Sequence, residues 1–168
     1  MRIRQPQAGD GQALVNLMTT LDEETKFMML EPGERQTSAH AQEDAIQSFL
    51  SSNSKVMFVV EDDSELVGFV VGVGQTANRN KHSMYCVIGI VQRAAGQGLG
   101  QQLMAELESW AQSQGFTRLE LTVMTHNEAA KQLYLSRGFE IEGTKRNSLR
   151  VDGEYVDEFY MSKLLSNS

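Results

Sequence analysis

The sequence predicts one α/β domain built on a mixed sheet of about seven strands flanked by about four helices. Its length of 168 residues corresponds to roughly one domain, at about 150 residues per domain. Segments with the two-residue apolar period of a strand alternate with segments of helical period, which is typical of strand–helix–strand crossovers and of parallel strand pairs. Other strand segments follow each other across short charged or Asp-Gly turns, which predicts hairpins and antiparallel pairs. Because both connections occur in one chain, the sheet is predicted to be mixed.

The first fifty residues predict one strand, two helices and a loop. Arg2–Arg4 alternates around a central isoleucine and is a short strand that ends before Pro6. Asp10 and Ser38 are candidate N-caps of two helices that carry apolar residues at helical spacing. Residues 22–37, which lie between the two helices, break that spacing with a Pro-Gly pair and predict a loop.

The middle of the chain predicts a hairpin followed by a central strand. Residues 55–60 and 65–73 are rich in β-branched and aromatic residues and flank a charged turn at 61–64. Residues 82–91 are apolar at both alternating sets of positions, which is typical of a strand covered on both faces. We therefore expect 82–91 to lie in the centre of the sheet.

The last third of the chain predicts two helices and three strands. A helix with a single apolar stripe follows the glycines near residue 98, and the stripe consists of Leu99, Leu103, Leu107 and Trp110. Arg118–Met124 is a strand and 127–137 is a helix. Residues 139–149 and 154–164 are strands joined at Asp152-Gly153, a strong hairpin signal.

Composition and charge exclude several classes of protein. The 15 basic and 22 acidic side chains give a net charge of −7, and the basic stripe of a nucleic-acid-binding protein is missing. There is no run of 18 apolar residues and no hydrophobic leader, so we expect no membrane partner. A single cysteine, Cys86, is typical of the reducing cytoplasm, and without metal-ligand spacing no metal is expected. The acidic first third either favours a cationic partner or is a solvated surface.

A glycine-rich turn is the most informative segment. The chain passes from the central strand through Gly96, Gly98 and Gly100 into a helix. Glycines let a backbone approach a ligand, and the unpaired N–H groups at a helix start favour a phosphate or pyrophosphate. The alternative is a tight turn that needs glycine only for its geometry. The spacing matches neither the dinucleotide fingerprint G-x-G-x-x-G nor the P-loop.

Two sequence blocks resemble the GNAT superfamily of N-acetyltransferases. Ala95-Gly96-Gln97-Gly98-Leu99-Gly100, followed by Leu103, is similar to the coenzyme A pyrophosphate loop of that superfamily. The second block has the pattern N-x-x-A-x-x-L-Y-x-x-x-G-F and consists of Asn127, Ala130, Leu133, Tyr134, Gly138 and Phe139. The order of elements also agrees. The resemblance implies a GNAT-like α+β domain over residues 1–165 with a mostly antiparallel sheet, a short polar tail at 166–168, and acetyl-CoA as co-substrate.

The resemblance also implies which residues hold the coenzyme and where its arm lies. The central strand and Arg118–Met124 would splay apart around the pantetheine arm, and a main-chain N–H near Ile90 would face the thioester carbonyl. Asn127 would contact the pantetheine or sulfur end, cap its own helix, or do both. The implied coenzyme-binding residues are Ile90, Val91, Ala95, Gly96, Gln97, Gly98, Leu99, Gly100, Gln101, Asn127, Ala130 and Tyr134. Arg93 fits a second register of the loop, R-x-x-G-x-G, ending at Gly98.

The catalytic groups are only partly identified by sequence. By the same resemblance, the Tyr134 hydroxyl would protonate the departing thiolate; the alternative is a tyrosine whose ring packs in the core. Many relatives place an acidic residue on the central strand, where this chain has Tyr85, Cys86 and Val87, so no general base is identified. Cys86 is interpreted as a small buried apolar residue rather than a nucleophile.

These observations predict an N-acetyltransferase that moves an acetyl group directly to a primary amine of a small molecule, protein or peptide. The alternative is a non-catalytic coenzyme A-binding sensor, which the missing acidic residue favours. Residues 27–30 either line an acceptor pocket or pack in the core. A homodimer is possible by analogy with similar proteins.

Overall fold

The computed structural model describes residues 1–166 and contains one seven-stranded sheet with the strand order β1-β2-β3-β4-β5-β7-β6. Every neighbouring pair is antiparallel except β4 and β5, which are parallel. The mixed, mostly antiparallel sheet is therefore confirmed. The strands are β1 (Arg2–Arg4), β2 (Lys55–Asp62), β3 (Glu65–Gly74), β4 (Ser83–Ile90), β5 (Arg118–Met124), β6 (Glu140–Val151) and β7 (Glu154–Leu164).

The predicted four helices are also present within residues 1–166. They are α1 (Gly11–Glu24), α2 (Ala39–Leu50), α3 (Leu99–Ser113) and α4 (Glu128–Ser136), with an additional 3-10 turn at Gln92–Ala94. None of the helices in this described part is long and apolar enough to cross a bilayer. Two residues of the predicted polar tail, 167 and 168, lie outside the described residues.

Helices α1 and α3 cover opposite faces of the sheet. Gly72 on β3 pairs with Cys86 on β4, and a side chain at Gly72 would meet Leu107 of α3. Gly89 lies three residues beyond Cys86 and therefore points to the other face, where a side chain would meet Leu21 of α1. We call these two sides the α3 face and the α1 face.

The other two helices lie beside these. Glu43 of α2 accepts a hydrogen bond of 2.8 Å from the amide of Gly11 at the start of α1, so α2 adjoins α1. Ser38 caps α2 as predicted, since its hydroxyl accepts from the amide three residues on at 3.1 Å. A side chain at Gly100 on α3 would come within 2.9 Å of Leu133 on α4. Helix α4 is thus packed against α3.

The predicted side-chain cap at Asp10 is wrong, although Asp10 does precede α1. Its carboxylate accepts hydrogen bonds of 2.7 and 3.1 Å from Arg4 and one of 2.8 Å from the amide of Gln7, and it makes no capping bond to the helix. Burial on its own would raise the pKa of the Asp10 carboxyl, but the bonds from Arg4 and Gln7 hold that pKa below its usual value. The Arg4 guanidinium offers the carboxylate two bonds and an opposite charge, whereas a cap would offer a neutral backbone amide, which explains the choice of partner.

A buried carboxylate ties together three elements on the α3 face. Glu108 of α3 has only 8% of its side chain exposed. It accepts from Arg137, at the end of α4, with the Nε bond at 3.0 Å, and from Lys163 of β7. The ion pairs therefore connect α3 to both C-terminal elements.

Replacing Glu108 by alanine is expected to lower the free energy of unfolding by about 1–3 kcal/mol, because two cations lose their shared partner. For a chain of this size the midpoint of thermal unfolding should fall by about 2–4 °C per kcal/mol. The matched control is Glu106→Ala, an exposed glutamate of the same helix, which should change the midpoint by less than about 2 °C. Equal melting temperatures for the two variants would contradict a stabilising role for Glu108.

Candidate active site

The two central strands separate partway along their length. Residues 83–85 of β4 pair with 118–120 of β5, and the parallel pairing ends at Tyr85 and Glu120. β4 remains paired with β3 as far as Ile90. The gap between residues 86–90 of β4 and 121–124 of β5 is referred to below as the crevice. The splay implied by the family resemblance is confirmed.

The crevice is open on the α1 face. Val87, which lies on this face of β4, is 41% exposed. The expectation that residues 82–91 are covered on both faces is therefore wrong for this part of the strand. The apolar residues that suggested complete burial instead form one wall of an accessible opening.

The glycine-rich turn leads from the end of β4 to the start of α3, beside the crevice. Gly96 and Gly98 have φ angles of 76° and 78°, in the left-handed region where glycine is favoured. Gly100 is required for a different reason, because a side chain there would collide with Leu133. The glycines thus serve both the backbone path and the packing of α3 on α4.

The amides of this turn are free. Within residues 1–166, the main-chain N–H groups of residues 96–101 donate to no acceptor, and Gly98 provides no side-chain cap. The first turn of α3 contains no acidic residue. Six consecutive unpaired amides at a helix start, together with the helix dipole, form a site suited to a diphosphate. This is the position at which the sequence predicts coenzyme binding by Ala95, Gly96, Gln97, Gly98, Leu99, Gly100 and Gln101.

Arg93 does not point its guanidinium into this turn. It donates to Asp62 at 3.0 Å and to Glu65 at 2.7 Å, at the hairpin between β2 and β3. Gly98 is the N-cap of α3 and Gly100 lies in its first turn. The structure therefore favours the register of the loop that ends at Gly98 and Gly100 over the register that begins at Arg93.

Tyr134 has the packed ring of one of the two alternatives, and its role as proton donor stays a prediction. Its side chain on α4 is 6% exposed, and its ring packs against Phe139 with centroids 5.7 Å apart. Within the described chain its hydroxyl makes no hydrogen bond. Burial raises the pKa of Tyr134, and the nearby Cys86 and Tyr85 raise it further. The phenol therefore lies close to β4 and is protonated at neutral pH, as a proton donor must be.

Asn127 caps α4. Its side-chain oxygen accepts from the amide of Ala130 at 3.3 Å. Within residues 1–166 its side-chain NH₂ group donates no hydrogen bond, so a ligand contact is compatible with the cap. Ile90 is the last residue of β4, Val91 is buried directly after it, and Ala130 is the residue whose amide Asn127 caps. Their coenzyme contacts stay predictions.

Cys86 is buried, as the sequence predicts. It is 4% exposed, and burial raises the pKa of its thiol to about 12. A thiol that stays protonated at neutral pH is a poor nucleophile.

Sequence analysis missed a polar cluster at the start of the crevice on the α1 face. The hydroxyls of Tyr85 and Thr122 are 2.9 Å apart across β4 and β5. Glu120, the register partner of Tyr85, accepts from Arg118 at 3.1 Å and from Gln75 at 3.4 Å. The alternation of polar residues at 118, 120 and 122 was a visible signal, but it did not reveal that these residues face Tyr85.

The loop between α1 and α2 extends over the same region. Phe27 packs against His126 with ring centroids 5.1 Å apart, and Lys26 forms an ion pair with Asp152 of the β6–β7 turn. Phe27 and Met29 are 41% and 68% exposed, whereas Met28 packs against the core. Core packing is therefore confirmed for Met28, whereas an acceptor pocket lined by the exposed side chains stays a prediction.

The fold and the free amides define a class of protein, and comparison with known sequences identifies it. The profile of the Acetyltransferase (GNAT) family matches residues 18–139. The chain belongs to that family.

Individual relatives agree with this assignment. The chain is 33% identical to the L-amino acid N-acetyltransferase AaaT of Escherichia coli (strain K12) over 61% of its own length and 64% of that protein. The chain spans less than two thirds of the length of this relative and of two further curated N-acetyltransferases that it resembles. A crystal structure of a GNAT-family acetyltransferase from Streptococcus pneumoniae superposes with a TM-score of 0.93 and 29% identity, covering 98% of this chain and 99% of that one.

A more distant structure shares the fold alone. YncA from Salmonella typhimurium, described as a putative acetyltransferase and solved with its cofactor acetyl-CoA, is 16% identical, with a TM-score of 0.87 over 100% of this chain and 95% of that one.

Proposed function

We propose that the protein is an acetyl-CoA-dependent N-acetyltransferase that transfers the acetyl group directly to a primary amine of a small molecule, protein or peptide. The observation that carries the proposal is the row of unpaired amides at residues 96–101, located where β4 and β5 separate. The amides suit the diphosphate of coenzyme A, and the crevice is the path available to its pantetheine arm. Family membership and the acetyl-CoA bound to the Salmonella protein support the choice of coenzyme.

In this mechanism the residues hold the thioester and move protons. The amine nitrogen forms a bond to the carbonyl carbon, whose developing oxyanion is stabilised by a main-chain N–H near Ile90. The carbon–sulfur bond then breaks with its electron pair on sulfur, and the sulfur takes the proton of the Tyr134 hydroxyl. The extra proton on nitrogen returns to the Tyr134 phenolate, so that the products are the amide and the free thiol of coenzyme A.

Direct transfer is supported by the state of the single cysteine. A covalent acetyl-enzyme would need an accessible thiolate, whereas the Cys86 thiol is buried and its pKa is raised to about 12. The non-catalytic sensor is not favoured, because the matched family is a family of acetyltransferases. A cytoplasmic location, a homodimer, and the absence of metal, nucleic-acid and membrane partners stay predictions.

The acceptor class is tested with acetyl-CoA and a panel of amines. The panel contains the protein L-amino acids, spermidine and a hexapeptide with a free N-terminal alanine, because L-amino acids are the acceptors in the name of AaaT. We expect free thiol to be released above the hydrolysis background with at least one member, and the acetylated product to gain one acetyl group by mass spectrometry. If acetyl-CoA binds but no member releases thiol, direct transfer to these acceptor classes is wrong.

A further inference from the structure

The acceptor amine must lose a proton before it attacks, and no acidic residue on β4 takes that proton. A primary amine is mostly an ammonium ion at neutral pH, and an ammonium nitrogen has no lone pair for the carbonyl carbon. The positions on β4 that would carry a base hold Tyr85, Cys86 and Val87. Cys86 is buried, and Val87 has no titratable group. The Tyr85 hydroxyl is 2.9 Å from that of Thr122, and the carboxylate in register with Tyr85 belongs to a different strand, β5.

We propose that Glu120 on β5 is the general base for the acceptor amine, an assignment that rests on the proposed function. Glu120 is the residue paired with Tyr85 at the point where β4 and β5 separate. Side chains opposite each other in neighbouring strands lie on the same face, so the carboxylate lies with Tyr85 on the open α1 face. The carboxylate thus stands beside the start of the crevice, on the side that solvent and an acceptor can reach.

The hydrogen bonds of Glu120 leave it able to accept a proton. Its oxygen Oε2 accepts from Arg118 Nε at 3.1 Å, while Oε1 has only a long 3.4 Å contact with the Gln75 amide. Arg118 is committed mainly to Glu142, with bonds of 3.0 and 2.6 Å from its two terminal nitrogens. The Glu120 side chain is 30% exposed, so it is partly open to solvent on the α1 face.

Neighbouring groups fix the position of the carboxylate. Arg118 and Gln75 hold it from two sides, and Thr122 anchors the Tyr85 hydroxyl at 2.9 Å. Arg118, Gln75 and Thr122 are therefore positioning residues: they orient Glu120 or Tyr85 and do not themselves take the proton. Two titratable or charged groups lie beside Glu120 on the α1 face: Tyr85 on β4 and Arg118 on its own strand. Glu142 on β6 lies farther away and is linked to Glu120 by Arg118, and Cys86 lies on the opposite, α3 face. β7 places the neutral Ser162 opposite Glu120.

The proton transfer balances in the following way. The ammonium gives one proton to the Glu120 carboxylate, directly or through one water molecule, and its nitrogen regains a lone pair. That nitrogen forms the bond to the carbonyl carbon as described above. Glu120 then releases its proton to solvent, which accounts for the one proton that acetylation of an ammonium produces.

The test compares Glu120→Gln with Glu142→Gln, using acetyl-CoA and the fastest acceptor of the amine panel. General-base catalysis contributes about 10²–10⁴-fold, so kcat/KM of Glu120→Gln at pH 7 should fall by at least about 100-fold. The loss should shrink to less than about tenfold at a pH where the acceptor is half neutral. Glu142→Gln, which changes the main partner of Arg118 and a contact to Ser162 but leaves the Glu120 carboxylate in place, should stay within about threefold of the wild type at both pH values.

A structural role for Glu120 would give a different pattern. A loss that is the same at both pH values, or that Glu142→Gln reproduces, would overturn the assignment. So would a loss of kcat/KM in His126→Gln that is large at pH 7 and shrinks at the higher pH, with Glu120→Gln unaffected. Glu120→Asp is the second variant in case Glu120→Gln does not fold: its shorter carboxylate should lower kcat/KM at pH 7, and a wild-type rate would count against Glu120. Failure of the wild type to release thiol would refute the proposed function itself, which separates the two results.

Discussion

Tyr134→Phe is expected to lower kcat for thiol release by about 10²–10⁴-fold, the usual contribution of a general acid. The dissociation constant of acetyl-CoA should change by less than about threefold, because the substitution removes a hydroxyl that makes no hydrogen bond within the described chain. The ring remains in contact with Phe139, so the melting temperature should be unchanged or slightly higher. Calorimetric titration and a thiol-release assay separate these quantities.

The matched control for this variant is Tyr155→Phe. Tyr155 lies on β7 near the hairpin turn and is 63% exposed, and it packs beside Arg150 rather than in the crevice. Its loss of a hydroxyl should leave kcat within about twofold of the wild type. If Tyr134→Phe also stays within about twofold, the departing thiolate takes its proton from water, and Tyr134 is a core residue only.

Gly98→Ala is expected to weaken acetyl-CoA binding at least tenfold, which corresponds to about 1.4 kcal/mol. The φ angle of 78° is strained for alanine by about 1–2 kcal/mol, and relief of that strain moves the amides of the turn. The new methyl group would enter space that no protein atom occupies within 4 Å, next to the proposed diphosphate position.

Gly115→Ala provides a control for the strain alone. Gly115 follows the other end of α3, has a φ angle of 89°, and also has no atom within 4 Å of an added methyl group. Both variants should lose similar stability in urea unfolding, and only Gly98→Ala should raise the dissociation constant of acetyl-CoA. A similar rise for Gly115→Ala would mean that binding responds to the stability of α3 rather than to the amides.

Local signals explain what could be predicted from the sequence. The hairpin at Asp152-Gly153, the Ser38 cap and the glycine turn each depend on residues close together in the chain, and each is present in the structure. The cap that Asn127 provides to α4 depends on neighbouring residues in the same way, whereas the catalytic role of Tyr134, which the family resemblance implies, stays a prediction. For such features, neighbouring residues determine the backbone directly.

Features that depend on strand register could not be predicted. Glu120 and Tyr85 are 35 residues apart and meet only because β5 pairs with β4 in one particular register. The apolar pattern of 82–91 indicated a central strand but not that its pairing with β5 stops at Tyr85. The side-chain cap predicted for Asp10 was wrong for a similar reason. Its actual partner, Arg4, lies on β1, and the position of β1 is determined by its pairing with β2.

The short contact between β4 and β5 has a mechanical consequence. Within residues 1–166, β4 and β5 share three register pairs, so the four N-terminal strands and the three C-terminal strands meet along a short line of pairing beside the place where the proposed reaction occurs. Alignment of a nucleophile with its target is sensitive to shifts of about 1 Å. Substitutions at these three pairs should therefore disturb the relative placement of the two halves, and with it turnover, even when each half keeps its own hydrogen-bonded framework.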